Sequence, residues 1–149
     1  MNFFCTSFSL VSNAKMYEIL ALRSDVFVVE QNCAYQDLDG KDQGSQWVWA
    51  EDEWGVVQAT ARILPPGVSY PEVSIGRVCT SLPSRRTGVG RELMQVCLNE
   101  IETKYSQVEI VISAQTYLEK FYNEFGFTAE GEGYEEDGIP HIKMRKSTW

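Results

Sequence analysis

The sequence predicts a mixed α/β (α+β) fold in which a central mixed sheet carries helices on both faces. Apolar, β-branched runs and amphipathic runs alternate along the chain in the order β-α-β-β-β-α-β-α-β-β. The central β-α-β unit, which begins at Val73, is expected to be parallel with a right-handed crossover, and the flanking hairpins should be antiparallel. With 149 residues, of which 44% are hydrophobic, residues 1–149 are predicted to form a single domain with its own core.

The first half of the chain predicts three strands and one helix. Phe3–Leu10 alternates loosely and predicts a strand, and Asn13 is a suitable N-cap for a helix that runs to about Val29. Gln46–Ala50 and Val56–Leu64 predict the two strands of a hairpin, because an Asp-Glu-Trp-Gly turn separates them.

The second half predicts four strands and two helices. The strands are Val73–Ser81, Val108–Ser113, Phe127–Glu132 and Ile139–Lys146, and the helices are Val89–Lys104 and Tyr117–Phe125. The strand at 108–113 is almost wholly apolar, as expected of a strand that is buried on both faces. Gly126 follows the last helix and suits its C-terminal cap.

Composition excludes several classes of partner. A net charge of −8 at pH 7 argues against nucleic acid, because binding phosphates needs a basic face. No apolar run reaches the roughly 18 residues that a membrane span needs, and Met1–Thr6 lacks the features of a signal peptide. Cys5, Cys33, Cys79 and Cys97 show no metal-ligand spacing, so we expect reduced thiols, no metal and a cytoplasmic protein.

A turn rich in arginine and glycine joins the strand that ends at Ser81 to the helix that begins at Val89. Its sequence over 84–91 is Ser-Arg-Arg-Thr-Gly-Val-Gly-Arg, and it holds three of the chain's thirteen basic residues. Backbone N–H groups in such a turn and the positive end of the following helix point at one spot. Glycine lets the backbone approach a ligand closely. The turn therefore predicts a site for a phosphate-bearing ligand rather than a solvated loop.

Two common phosphate motifs do not fit this turn. A P-loop needs Gly-Lys-Ser/Thr, but Gly90 is followed by Arg91 and Glu92. A dinucleotide-binding fingerprint needs a third glycine three residues further on, where Leu93 stands. The pattern that remains is Arg-x-x-Gly-x-Gly, which begins at Arg85.

Together with a second segment, this turn resembles the GNAT superfamily of acyl-CoA-dependent N-acyltransferases. The second segment, Tyr117–Phe127, contains Phe-Tyr-x-x-x-Gly-Phe and is similar to a helix of that family. Four further segments resemble its ElaA-like branch, namely Leu22–Cys33, Ala61–Leu64, Ile75–Val78 and Tyr134–Ile142. One departure is Gln46-Trp47-Val48, where relatives carry a histidine, so no role for that histidine is carried over.

The resemblance implies acetyl-CoA as the acyl donor and a primary amine as the acceptor. The pyrophosphate would lie on the turn, and the pantetheine arm would run beside the preceding strand and pair with its backbone. A backbone N–H there could stabilise the developing oxyanion. The donor-binding residues implied are Val78, Cys79, Thr80, Arg85, Arg86, Thr87, Gly88, Val89, Gly90, Arg91 and Phe121.

Three residues are candidates for proton transfer. The resemblance places Tyr122 near the sulfur, where a phenol that is protonated at neutral pH could donate to the departing thiolate. The alternative for Tyr122 is a packed side chain whose hydroxyl is bonded to backbone. For the base, Glu30 at the end of the first helix and His141, the chain's only histidine, are both open, either directly or through water.

The acceptor and the alternative functions are less constrained. Asp37, Asp39 and Asp42 could attract a cationic amine through their field, but solvated carboxylates are the simpler expectation. Trp47, Trp49 and Trp54 are expected to pack in the core or hairpin rather than line an acceptor pocket. A non-catalytic acyl-CoA-binding module is the alternative to an enzyme, and the oligomeric state, a homodimer included, is left open.

Overall fold

A computed structural model describes residues 1–149 and contains seven strands and three α-helices in the order that the sequence predicts. The strands are β1 (Asn2–Ser7), β2 (Gln46–Glu51), β3 (Val57–Leu64), β4 (Ser74–Thr80), β5 (Ile110–Gln115), β6 (Thr128–Glu136) and β7 (Ile139–Lys146). The helices are α1 (Asn13–Ser24), α2 (Val89–Tyr105) and α3 (Glu119–Asn123). None of the helices combines the length and apolar character needed to cross a membrane.

The strands form two antiparallel sheets instead of the single mixed sheet expected. The first sheet has the order β1-β2-β3-β4 and the second β5-β7-β6. They meet at one parallel bridge between Val73 and Ile110, where the Val111 N–H donates to the Val73 carbonyl at 3.0 Å. The predicted parallel pairing is therefore confined to the start of β4 and β5.

A β-bulge accounts for the divergence of β4 from β5. On β3, Thr60 pairs with Cys79 and Arg62 pairs with Gly76, so two residues of β4 oppose Ala61 alone. One of them, Arg77, has a φ of +50°. A bulge of this kind bends its strand and interrupts the ladder. β4 therefore turns away, and the facing edges of β4 and β5 are left unpaired.

The first sheet carries helices on both faces, as predicted. Val48 and Ala50 of β2 belong to the main core with α2, whereas Trp47 and Trp49 pack in a smaller cluster with Ile19 of α1. Alternate residues of one strand point to opposite faces, so α1 and α2 lie on opposite sides of the sheet. The expected packing role of Trp47 and Trp49 is confirmed, and Trp54 is exposed at the hairpin tip.

Several element boundaries differ from those predicted. Ser12, not Asn13, caps α1, because the extended Ser12 accepts a hydrogen bond from the Lys15 N–H at 3.2 Å. After Ser24 the chain continues as a wider π-helical turn to Glu30. The predicted helix 117–125 begins instead as a short 3-10 turn, and α3 itself is only five residues long.

Candidate active site

A cavity of about 1000 Å³ opens where β4 and β5 diverge. It runs from the arginine- and glycine-rich turn, along β4 and the α3 helix, to the β6–β7 turn. Because β4 and β5 are both edge strands, the backbone groups on their facing edges lie outside the sheet ladders and can pair with a ligand, except for the Thr80 carbonyl, which accepts from Arg85. The size and shape are typical of a site for a cofactor-sized molecule.

Most of the residues singled out from the sequence line this one cavity. They are Glu30, Val78, Cys79, Thr80, Arg85, Arg86, Gly88, Gly90, Arg91, Phe121, Tyr122 and His141. The side chains of Thr87 and Val89 do not line it. Thr87 donates its hydroxyl to the Ser84 carbonyl, and Val89 is buried in the main core. These two residues could contribute only backbone N–H groups.

The glycine-bearing turn forms an open cradle at the start of α2. Gly88 is the N-cap with a φ of +91°, and no side chain caps the helix. The first N–H groups of α2 are therefore free to receive an anion. A Cβ on Gly90 would lie 3.7 Å from the Thr80 methyl carbon and 3.9 Å from the Phe121 ring, so the backbone packs closely there.

The three arginines of the turn are in different situations. Arg85 donates to both oxygens of Glu30, at 2.5 and 2.6 Å, and to the Thr80 carbonyl at 3.2 Å. Arg91 donates to both oxygens of Glu124, at 2.9 and 3.0 Å. Arg86 is exposed and makes no salt bridge. Arg86 is therefore the arginine whose charge is not already neutralised.

Glu30 is held as a carboxylate by its partner. Hydrogen bonds from Arg85 lower the pKa of the Glu30 carboxyl, more than the small burial raises it. A carboxylate with a lowered pKa is a weaker proton acceptor. The bidentate pair also ties the end of the π-helical turn to the segment that follows β4.

Tyr122 is buried on α3 with its hydroxyl free. The ring packs edge-on against Phe121 and Phe127, with centroid distances of 5.1 and 6.1 Å. Burial raises the pKa of Tyr122 well above its usual range, and burial also raises the pKa of the nearby Cys79 thiol to about 12. No group of the chain hydrogen-bonds to the hydroxyl, so the backbone-bonded alternative for Tyr122 is not observed. Tyr122 is thus a neutral phenol with a proton to donate.

His141 lies on β7 opposite Gln115, the last residue of β5. Its Nδ1 is 2.7 Å from the Ile139 carbonyl oxygen, and its Nε2 is 3.5 Å from Glu136 Oε2. A carbonyl oxygen only accepts hydrogen bonds, so Nδ1 carries the proton of the neutral ring. The basic lone pair is therefore on Nε2.

The aspartate-rich loop is not solvated, contrary to the sequence-based expectation. Asp37 and Asp42 are each only 6% exposed. The guanidinium of Arg23, itself buried, lies between them, with Nε 3.0 Å from Asp37 and Nη1 2.7 Å from Asp42. Two unpaired carboxylates could not be buried at an acceptable cost, and the arginine compensates them.

Two more arginines complete this ion-pair cluster, which consists of Arg23, Arg62, Arg77, Asp37, Asp39 and Asp42. Arg62 donates to both oxygens of Asp39, at 2.8 and 2.6 Å, and Arg77 Nε lies 2.7 Å from Asp37. Burial alone would raise the pKa of Asp39, but the hydrogen bonds from Arg62 hold it well below its usual range. Three positive charges balance three negative ones, so the cluster carries no net charge that would attract an amine.

The sequence analysis missed this cluster although it contained the signal. Each of the three arginines lies in a segment that carried the branch resemblance: 22–33, 61–64 or 75–78. Arginine in an otherwise apolar strand needs a buried carboxylate partner. That requirement makes the aspartates of the loop candidates for these partners.

A second polar group was also missed, at the far end of the cavity. The Ser113 hydroxyl donates to Glu136 Oε1 at 3.3 Å and is bonded to the Tyr134 hydroxyl at 2.5 Å. Tyr70 lies beside them, and its pKa is raised to about 12, first by burial and then by Tyr134. The segment 134–142 was singled out for its resemblance, but only His141 was taken from it as a candidate.

Comparison with known proteins identifies the family. The sequence model of the acetyltransferase (GNAT) domain family matches residues 19–148 of this chain. A UPF0039 protein of Synechocystis is 43% identical over 137 residues, which cover 92% of this chain and 89% of that protein. Protein ElaA of Escherichia coli K12 is 42% identical over 142 residues, which cover 93% of this chain and 91% of ElaA.

Solved structures agree with this assignment. The crystal structure of an acyl-CoA N-acyltransferase from Pseudomonas aeruginosa has a TM-score of 0.90 at 36% identity, and covers 98% of this chain and 99% of that one. The crystal structure of Escherichia coli ElaA has a TM-score of 0.90 at 37% identity in the structural alignment, with coverage of 97% and 98%. The resemblance stated from the sequence is thereby confirmed, and the chain belongs to the ElaA-like branch of the GNAT acetyltransferases.

Proposed function

We propose that this acyltransferase moves an acetyl group from acetyl-CoA to a primary amine, which attacks the thioester directly. The observation that carries the proposal is Tyr122, a buried and neutral phenol with no hydrogen-bond partner. It lines the same cavity as the open cradle at Gly88 and Gly90. A protein that only bound CoA would have no chemical need for a free proton donor inside the cavity.

The cradle supports binding of the donor pyrophosphate. Backbone N–H groups over 86–90 and the positive end of α2 would face the phosphates, with the unpaired Arg86 beside them. Arg85 and Arg91 would extend the positive surface while they keep their carboxylate partners. The charges of Arg85 and Arg91 are already neutralised by carboxylates, so each would attract a phosphate less strongly than the unpaired Arg86.

The unpaired edge of β4 supports binding of the pantetheine arm. An extended ligand can pair with a strand edge as an added strand would. Val78, Cys79 and Thr80 present such an edge next to Phe121, which would form the wall of the channel. The bulge at Arg77 leaves backbone groups out of the β3–β4 ladder, and an N–H there would stabilise the oxyanion of the tetrahedral intermediate.

The chemistry then needs two proton movements. The amine nitrogen forms a bond to the acetyl carbonyl carbon, and the carbon–sulfur bond breaks with its electron pair on sulfur. Tyr122 gives its proton to that sulfur, and the proton lost by the new amide nitrogen restores the phenol. Glu30 and His141 are the two candidates that deprotonate the ammonium beforehand. The pairing of Glu30 with Arg85 lowers its basicity, which favours His141.

A thiol-release assay tests the proposal. The protein is incubated with acetyl-CoA and a panel of amines that includes alkylamines, polyamines, amino sugars and lysine peptides. Release of CoA thiol that depends on an amine, with the acetylated amine detected by mass spectrometry, is the expected result. Tight CoA binding without thiol release for any amine would favour the non-catalytic acyl-CoA-binding module instead.

A further inference from the structure

Two hydrogen-bond acceptors face each other at the end of the cavity formed by the second sheet. With the ring neutral, one is Nε2 of His141, and the other is Glu136 Oε2, 3.5 Å away. The Nε2 atom makes no hydrogen bond within the chain, although His141 is 92% buried, with only 8% of its surface exposed. Ser113 donates to the other oxygen of Glu136, and Tyr134 stacks on the imidazole, with 6.2 Å between ring centroids.

This arrangement suits a ligand that donates hydrogen bonds to both atoms. With the ring neutral, Nε2 and the carboxylate oxygen are both acceptors, so a group with at least two N–H protons can bind to the pair. A primary ammonium carries three such protons and a positive charge. It could therefore donate to both atoms at once.

The charges at this end of the cavity also favour a cation. Four carboxylates line the cavity: Glu30, Asp39, Glu136 and Asp137. Glu30 is paired with an arginine and so is Asp39. Neither Glu136 nor Asp137 has an arginine or lysine partner. The uncompensated negative charge of the cavity is thus concentrated where the two acceptors meet.

We infer that His141 and Glu136 together receive the acceptor ammonium, and that His141 Nε2 takes its proton. The inference rests on the proposed acetyl transfer and deepens it. The N–H bond of the ammonium breaks, the proton passes to Nε2, and the freed lone pair attacks the acetyl carbonyl carbon. Glu136 positions the ammonium and then pairs with the imidazolium, which releases its proton to solvent after the amide has formed. The acceptor is accordingly an amine that is positively charged in solution.

Nuclear magnetic resonance of the histidine ring tests the site without turnover. His141 is the only histidine of the chain, so its ring nitrogen signals need no further assignment. With the ring neutral, the free protein should show its proton on Nδ1. Titration with n-butylamine should shift the Nε2 signal, and Glu136→Gln should weaken that binding about tenfold. A neutral ring that carries its proton on Nε2, or a signal that n-butylamine does not move, would overturn the inference.

Glu135→Gln is the matched control for Glu136→Gln. It removes the same charge from the neighbouring position of β6, where the side chain is exposed and does not line the cavity. We expect the Glu135 variant to bind n-butylamine as the unchanged protein does. If both variants bound n-butylamine equally weakly, the loss would come from the change in net charge alone. That result would contradict a specific role for Glu136.

Kinetics with two probe amines test the proton transfer itself. His141→Asn keeps a side-chain amide that can donate to the Ile139 carbonyl but removes Nε2. For n-butylamine, kcat/KM should fall about 10²-fold, with KM for acetyl-CoA unchanged. O-methylhydroxylamine is uncharged at neutral pH and should show a much smaller deficit. Equal deficits for the two amines would refute the proton-accepting role. If the unchanged protein released no thiol with any amine, the proposed function would fail, and the resonance titration would still decide the amine site.

Discussion

The two ends of the cavity are built in different ways. We call the end at the arginine- and glycine-rich turn the donor end, because we propose that acetyl-CoA binds there. It consists of consecutive residues, in which the positive φ of Gly88 and the start of α2 present backbone N–H groups. The far end consists of side chains that are distant in sequence, from Ser113 on β5 to Glu136 on β6 and His141 on β7. A site made of contiguous backbone follows from local sequence rules, whereas a site made of distant side chains exists only once the chain has folded.

The largest effect is expected at the ion-pair cluster, of which Asp39, Arg62 and Arg77 line the cavity. Arg23→Ala would leave Asp37 and Asp42 buried without their central partner. Loss of one member of a buried ion pair typically costs about 3–5 kcal/mol of unfolding free energy. Urea unfolding measures this loss. Arg91→Ala, at the exposed pair of the donor end, serves as the control and should leave the urea midpoint unchanged. A loss below about 1 kcal/mol for Arg23→Ala would show that the cluster does not support the fold.

The next effect concerns Tyr122, between the two ends. Tyr122→Phe removes only a hydroxyl that has no partner in the chain, so stability and CoA affinity should be preserved. Turnover should fall about 10²-fold because the departing thiolate loses its proton donor. Steady-state kinetics and CoA titration measure the two quantities. Tyr17→Phe, on the exposed surface of α1, is the matched control. Undiminished turnover in Tyr122→Phe would remove this residue from the mechanism.

A third prediction compares two glycine substitutions, in order to distinguish loss of the CoA cradle at Gly88 from the strain that any side chain causes at a positive φ. Gly88→Val places a β-branched side chain at a φ of +91° and fills the cradle, so CoA affinity should fall at least tenfold, by about 1.4 kcal/mol or more. Gly67→Val introduces similar strain at a φ of +87°, away from the cavity. Calorimetric titration of both variants with CoA should show weakened binding only for Gly88→Val. Similar affinities in the two variants would contradict the assignment of the cradle.

The smallest effect is a dependence of stability on pH at Asp39 of the ion-pair cluster. The pKa of Asp39 is lower in the folded chain than in the unfolded one, because the hydrogen bonds from Arg62 outweigh burial. Its contribution is therefore complete above about pH 4, the ordinary range of an aspartate, and is lost as the pH falls toward the folded-state pKa. Thermal melting between pH 2 and 6, values chosen to bracket about pH 4, should show a shallower acid-side loss for Asp39→Asn. Identical pH profiles would mean that the pair contributes nothing.

Sequence reasoning succeeded where the relevant rule was local. The order of the elements, the turn at Gly88 and the turn at Gly126 after the last helix each follow from periodicity or from a backbone conformation that glycine favours. Prediction from the sequence failed where the interacting side chains are distant in the chain. Nothing local shows that Asp37 will be buried against Arg23, or that Arg85 will bind Glu30 across 55 positions of the chain. The bulge at Arg77, which opens the cavity, likewise depends on the register with β3.

The single bridge between Val73 and Ile110 has a consequence for cooperativity. Two sheets that share one backbone contact can loosen separately, so amide protons of β5 and β7 should exchange with their own protection pattern. A pantetheine arm inserted between β4 and β5 would connect the two sheets. Occupancy by the donor would then slow exchange in both sheets together and make the second sheet, with His141, rigid before the amine arrives.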